Sequence, residues 1–425
     1  MKTAVVGAGW AGCAAAVEAT RLGQQVTVFE VARIAGGRAR RVNSQLPDGT
    51  PLQLDNGQHI LIGAYSETLR LMADLGLNAE AFLLRLPLTL QFPDGTGLRL
   101  PKLPTPLDAL AGILGARGWS WRDKLALLHA AVRWQRARFL CAPELSVAQL
   151  CNKLSPAVMA ALIAPLCVSA LNTPVERASA QVFLRVLRDA LFSRSGGSNL
   201  LLPRTDLSAL LPDAALTWLV QHGSDVRLGH RVQALIPMGS GWQVDGAKFD
   251  QVILACPPIE AARLVQASDL PCTPWMAQTR ALQFEAITTV YAFSPGAALA
   301  QPLLALRSGA PDGKAPAQFV FDRGQLGGPA GLLAFVVSAS TGDSATLTKQ
   351  VLAQGAQQLG LTPLHPVQTI VEKRATFACL PGLQRPAAHL LPGLLVCGDY
   401  IDGPYPATLE GAVRSGLQAA RFATK

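Results

Sequence analysis

A doubly wound α/β fold with a discontinuous parallel sheet is predicted by three stretches of the chain. The first is "TAVVGAGWAGCAAAVEATRLGQQVTVFE" at the N-terminus, the second "QVILACPP" in mid-chain, and the third "GLLVCGDYIDGPYPATLEGAVRSGLQAA" near the C-terminus. Each contains a short apolar strand that runs into a tight turn. Because they lie far apart in sequence, a sheet that unites them must carry inserted material between its strands.

"TAVVGAG" has the continuous apolar character of a strand buried on both faces, and "AGCAAAVEATRLG" then reads as a helix closed by Gly23. "QQVTVFE" is a second strand ending in Glu30. Lys2 and the apolar run that follows superficially resemble an export leader, but strand, helix and strand in succession read as a βαβ unit. Its turn is Gly7-x-Gly9-x-x-Gly12. Gly7 permits the tight turn, Gly9 lets a pyrophosphate approach the backbone, and Gly12 lets the helix pack closely on the strand. The helix opens at Trp10 and Ala11 with unpaired N–H groups for phosphates, and Glu30 is placed to accept from a ribose hydroxyl. The pattern predicts a dinucleotide site.

In mid-chain, "VRLGHRVQALIPMGSGWQVDGAKFDQVILACPP" reads as short alternating strands stopped by Pro257-Pro258. At the far end, "GLLVCGD" is a buried strand reaching Gly398-Asp399; a proline-bounded loop follows, and a helix opens near Thr408. Residues 76–196 read as mostly helical apart from a hairpin in "LTLQFPDGTGLRLP", where Asp94-Gly95 is the turn. Residues 263–374 mix strands such as "AQFVFD" and "LLAFVVSAS" with the helix "SATLTKQVLAQGAQQLG". The predicted division assigns 1–75, 197–262 and 375–425 to the cofactor domain and 76–196 and 263–374 to an inserted α+β substrate domain, whose first part faces the membrane.

The totals fit a globular chain able to bury a large core and long enough for two or three domains. The chain has 425 residues, half of them hydrophobic and 15% charged, with a formal charge of +9. A pI near 9.4 raises nucleic acid or an anionic membrane as partner. Aromatic residues are only 6%, and no zinc-finger pattern, RNP pattern or dense Lys/Arg tract is present, so nucleic acid is not expected. The eight cysteines show no C-x-x-C and no metal-ligand spacing, and no metal is predicted. Their scatter suits a reducing cytoplasm. No stretch reaches the roughly 18 apolar residues of a bilayer span; "MAALIAPLCVSAL" is short and broken by Pro165.

Six residues beyond Glu30 stands "GGR", formed by Gly36, Gly37 and Arg38. This extension of the glycine turn resembles the FAD signature of the amine oxidase and phytoene desaturase superfamily. The resemblance implies a glutathione-reductase type FAD domain in which Arg38 pairs with the phosphates, the backbone of Val232 meets the adenine and Asp399 binds the ribitol. The helix opened by Ala407, Thr408 and Leu409 would point at the pyrimidine edge of the flavin, where its positive end stabilises charge gained on reduction. "LDNGQHILIGAYSETLRLMADLGL" resembles the D-x-G-x-H…GAY…LG pattern of plant-type carotene desaturases and squalene-associated desaturases, through Asp55, Gly57, His59, Gly63, Ala64, Tyr65, Leu75 and Gly76. This segment, with Gln58, is expected beside the flavin. Within the superfamily the chain looks most like the hydroxysqualene dehydroxylases of hopanoid biosynthesis, over residues 1 to about 80, again near 197, and over the last thirty residues.

That resemblance implies a long isoprenoid substrate carrying an allylic hydroxyl, which FAD and an external electron donor would replace by hydrogen. His59 is the first candidate for the acid that protonates the leaving oxygen, followed by Asp402 and Tyr405. The rival readings are a carotene desaturase running the cofactor in the oxidative direction, a non-catalytic prenyl-lipid-binding protein and an amine oxidase. Cys256 and Cys397, at strand ends near the flavin, are read as small core residues. Residues 117–138, "RGWSWRDKLALLHAAVRWQRAR", hold six Lys/Arg against one acid, with Trp121, Leu125, Leu128 and Val132 at helical spacing. Such a helix can lie in the headgroup region, so a cytoplasmic protein in peripheral contact with an anionic membrane is expected.

Overall fold

The computed structural model describes residues 1–193, 195–309 and 314–422. The chain opens with β1 (Lys2–Val6), α1 (Trp10–Arg21) and β2 (Gln25–Glu30), the βαβ unit predicted from periodicity. Helix α1 is alanine-rich and buried over almost its whole length, and it stops at Leu22, where Gly23 takes φ +78°. A hairpin of β3 (Thr89–Gln91) and β4 (Gly97–Arg99) turns at Asp94-Gly95 as predicted. Helices follow, among them α2 (Leu107–Gly115), α3 (Trp121–Arg136) and α4 (Ala164–Leu171). Next come β5 (Asp225–Leu228) and β6 (Gln251–Leu254), then β7 (Phe284–Phe293), β8 (Leu303–Ala305), β9 (Phe319–Asp322), β10 (Leu332–Ser338) and β11 (His365–Phe377). The end is β12 (His389–Leu391), β13 (Leu394–Val396) and α5 (Leu409–Phe422).

These strands make two principal sheets. The first is six-stranded in the order β5-β2-β1-β6-β13-β12, parallel except for β12. It is an α/β sheet whose strands come from three distant parts of the chain. The chain builds outward from β1 through β2 to β5 on one side and then crosses back to β6 on the other, so the strand order reverses beside β1. That is the switch point at which open α/β sheets form a crevice. The second sheet is antiparallel, in the order β8-β9-β10-β7-β11. The segment "SNLLLP" joins neither: Leu200–Pro203 pairs instead with residues 61–62 and 83–86 in a small separate sheet.

Two helices flank the crevice at unusually short range. A Cβ added to Gly416 of α5 would lie 2.1 Å from the Ala11 carbonyl oxygen of α1, so only glycine lets these helices cross so closely. Beyond the crossing, Arg421 Nε bonds Glu18 Oε1 at 2.6 Å. At the other end of α5 the fully buried Glu410 accepts from Glu67 and Thr68 N–H, from the Thr68 hydroxyl and from Arg414, which compensates its charge. Gly416→Val should therefore prise α5 from α1. The expected loss is roughly 1–3 kcal/mol in a urea melt, together with weaker flavin retention; unchanged stability would contradict the crossing.

Candidate functional site

Four strand ends of the parallel sheet meet at one cavity of about 520 Å³, lined by Gly7 beyond β1, Glu30 of β2, Ala255 and Cys256 beyond β6, and Gly398 beyond β13. Gly7 takes φ +113°, and a Cβ there would fall 2.5 Å from the Ala255 carbonyl oxygen. A Cβ on Gly12 would fall 1.9 Å from the Gly7 carbonyl oxygen, so Gly12 packs the helix on the turn and does not line the cavity. Helix α1 makes its first intrahelical bond from Cys13 N–H to Gly9 C=O, which leaves the amides of the first turn unused. These amides open onto the cavity through Gly9, Trp10 and Ala11.

The Gly36-Gly37 loop seats against this turn. Gly36 N–H bonds Ala8 C=O at 2.8 Å, and a Cβ on Gly37 would lie 3.3 Å from the Gly9 Cα. Main chain therefore forms both walls of the slot. Glu30 accepts from Ala8 N–H at 2.7 Å and Ala32 N–H at 2.8 Å, fixing its carboxylate in the cavity wall. Val232 lines the same end, its carbonyl held by Arg263 at 2.9 Å.

Arg38 joins the two ends of the chain. Its Nη2 bonds Asp399 Oδ1 at 2.6 Å and its Nη1 donates to the Ala375 carbonyl at 2.7 Å. Both residues line the cavity, and both are committed to one another. Beyond Asp399, Ala407, Thr408 and Leu409 bring the N-terminus of α5 to the cavity. Ala407 sits at φ +57°, and Thr408 Oγ1 accepts from Gly411 N–H at 3.0 Å, capping the helix. Two helix N-termini thus converge on one crevice. A slot of bare main chain, an acid at the second strand and two positive helix ends fit a dinucleotide with an attached electron-accepting ring.

The comparisons with known proteins agree with this geometry. A family model for flavin-containing amine oxidoreductases matches residues 10–422. The chain belongs to this family. Its similarity to a hydroxysqualene dehydroxylase of Rhodopseudomonas palustris is 29% identity over 98% of this chain and 96% of that protein. A second hydroxysqualene dehydroxylase, from Sinorhizobium fredii, is 27% identical over 99% and 97%. In fold it is similar to an oxidoreductase from Methanosarcina mazei, with a TM-score of 0.72 at 17% identity over 99% of this chain and all of that one. As a flavin-containing oxidoreductase the chain uses FAD.

Gly57, Gln58 and His59 line the cavity as expected. Asp55 does not. It is buried beneath the wall, where its carboxylate accepts Leu207 N–H at 2.7 Å and its carbonyl accepts from the Tyr291 hydroxyl at 2.8 Å. Two of the candidate acids also fall outside the lining. Asp402 is a surface residue, its side chain 75% exposed opposite Arg385. Tyr405 packs edge-on against Tyr65 and under Arg414. Neither is in place to protonate a leaving group.

His59, by contrast, lines the cavity. Burial first, and the nearby Arg38 second, lower its pKa from the ordinary value, opposed by the Gly57 carbonyl 3.0 Å from Nδ1. A carbonyl only accepts, so the ring hydrogen belongs on Nδ1 and Nε2 keeps its lone pair. Cys256 lines the cavity, yet burial pushes its thiol up to about 12, which suits a packing residue. Sequence reasoning missed the second sheet's contribution: Ile287, Phe319, Phe321, Val336 and Ser338 line an arm of the cavity, and Val168 and Ala170 of α4 are also in the cavity lining. The two-residue spacing of Phe319 with Phe321 and of Val336 with Ser338 was a readable sign of one shared face.

Burial pushes the Asp55 carboxyl up to about 7. The folded chain then holds a proton that the unfolded chain has already lost, so stability falls as pH rises from about 4 to about 7. Asp55→Asn keeps an acceptor for Leu207 and removes the titration. Its urea midpoint should be flatter across that window, gaining on wild type by roughly 4 kcal/mol near neutrality; a parallel decline in both proteins would refute the assignment.

Proposed function

We propose that the chain catalyses the reductive dehydroxylation of hydroxysqualene to squalene, a step of hopanoid or other triterpenoid synthesis. The observation that carries this reading is the end-to-end likeness to relatives of that name, over 98% and 99% of the chain. The apolar arm of the cavity supports it, because Ile287, Phe319, Phe321 and Val336 offer walls suited to a hydrocarbon. A substrate of that chemistry resides in the bilayer, and the reading includes a cytoplasmic protein in peripheral contact with an anionic membrane and supplied by an external electron donor.

In the proposed reaction the C–O bond breaks, the oxygen leaves as water after taking a proton, and the allylic carbon takes a hydride. Reduced FAD supplies that hydride. The apolar arm excludes water, which would otherwise capture an allylic cation. Asn172 and Thr376 add polarity at the cavity wall, but Asn172 Nδ2 already bonds Thr376 Oγ1 at 3.0 Å. His59 remains the residue proposed to meet the hydroxyl. In its neutral form Nε2 accepts from the substrate O–H; as an imidazolium it donates to the leaving oxygen. Because its pKa is lowered, turnover that uses the imidazolium should rise as pH falls toward that value.

Anaerobic incubation of the reduced flavoprotein with hydroxysqualene should yield squalene. His59→Ala should lower kcat by roughly 100-fold while the protein stays yellow. Absence of squalene would reject the reaction, and full turnover by yellow His59→Ala would remove the histidine from it.

A further inference from the structure

Helix α3 has two apolar faces. One, formed by Leu127, Ala130 and Trp134, is buried against the protein. The other, with Trp121, Leu125 and Val132 at helical spacing, is 67%, 62% and 45% exposed. The fold needs only the first. A globular helix normally presents a single apolar stripe, so the second calls for an occupant.

Helix α2 repeats the arrangement. It sits on the β3–β4 hairpin through Gly112, where a Cβ would lie 2.3 Å from a methyl of Leu100. Leu107, Leu110 and Leu114, at i, i+3 and i+7, are left 53%, 42% and 39% exposed, with Leu103 just before them at 44%. Lys124 ties the two stripes together: its Nζ donates to the Leu114 carbonyl at 2.7 Å and lies 4.9 Å from the centre of the Trp121 ring. The capping box between Ser120 and Asp123 fixes the start of α3 at the same corner.

The charges carried by this segment are mostly of one sign. Lys102, Arg117, Arg122, Lys124, Arg133, Arg136 and Arg138 fall between residues 102 and 138, against Asp108 and Asp123 alone. Asp108 is buried, and its carboxylate accepts the Ala109 N–H; Asp123 is used by the capping box. We infer that the α2–α3 ridge is the surface by which the protein docks on anionic phospholipid. The leucines and Trp121 enter the headgroup boundary while the arginines and lysines reach the lipid phosphates. A second copy of the chain is a poor occupant, since a two-fold contact would bring the two basic rims together. The inference gives a surface to the membrane contact proposed above and rests on that contact, but not on which reaction the flavin performs.

The test is flotation of the FAD-loaded protein with vesicles of phosphatidylcholine alone or mixed with phosphatidylglycerol. The protein should float with the mixed vesicles and much less with phosphatidylcholine or at high salt. Leu107→Asp/Leu125→Asp, and separately Trp121→Ala, should cut the floated fraction by about fivefold or more, with far-UV dichroism and flavin absorbance unchanged. Three results would overturn the inference: no flotation, equal flotation by the double variant, or a dimer in solution that the double variant breaks. Squalene formation is scored separately, so a failed reaction with intact flotation leaves the ridge standing, and the converse removes it.

Discussion

The cofactor end of this protein depends on main-chain atoms approaching more closely than any side chain would allow. Gly7 lies against the Ala255 carbonyl, Gly12 against the Gly7 carbonyl and Gly416 against the Ala11 carbonyl, each at a distance that a Cβ would fill. These three contacts bring β1, β6, α1 and α5 to one point. Any one of them relaxed would move a helix N-terminus away from the crevice, and the partial charges at helix ends act only over about a turn. Close packing here is thus an electrostatic requirement as much as a steric one.

The buried charges follow from that convergence. Two helix ends of the same polarity face one cavity, and each anionic group nearby is already compensated by protein donors. Glu30 takes two amides, Asp399 takes Arg38, and Glu410 takes two amides, a hydroxyl and Arg414. Paired in this way, the carboxylates can stay buried. The pairing also couples distant parts of the chain: Arg38 holds Asp399 and β11 together, and Glu410 binds α5 to the helix beginning at Ser66.

What could be read from the sequence was local. The βαβ unit, the hairpin at Asp94-Gly95 and the strand before Gly398 each announce themselves within one window of periodicity and turn chemistry. The glycine turn and the acid beside it were legible for the same reason, since Gly7, Gly9 and Glu30, which line the cavity, and Gly12, which packs behind it, are close in sequence. Residues whose position depends on tertiary context were not. Asp55 lies in the right segment, but its carboxylate is taken up beneath the wall by Leu207 N–H, from a segment 152 residues away, whereas Gln58 and His59 reach the cavity after the strand has ended. Asp402 and Tyr405 lie in a loop whose backbone takes the left-handed region at Tyr405 and Ala407, a path that residue types alone do not specify. Arg38 was legible as a cation of the site, but its committed partner was not, because Asp399 is 361 residues away.

The apolar stretch "MAALIAPLCVSAL" shows how a single backbone irregularity can link these levels. Continuous apolar character would suit a fully buried helix, yet Pro165 cannot donate an amide to the preceding turn. The chain accommodates it with a π-turn over Met159–Ile163 that hands over directly to α4. A π-turn adds a residue to the helical repeat and so rotates every later side chain around the axis. Downstream of it, Val168 and Ala170 line the cavity while Cys167 and Leu171 enter the core. In an unbroken α-helix the register of these later residues would differ.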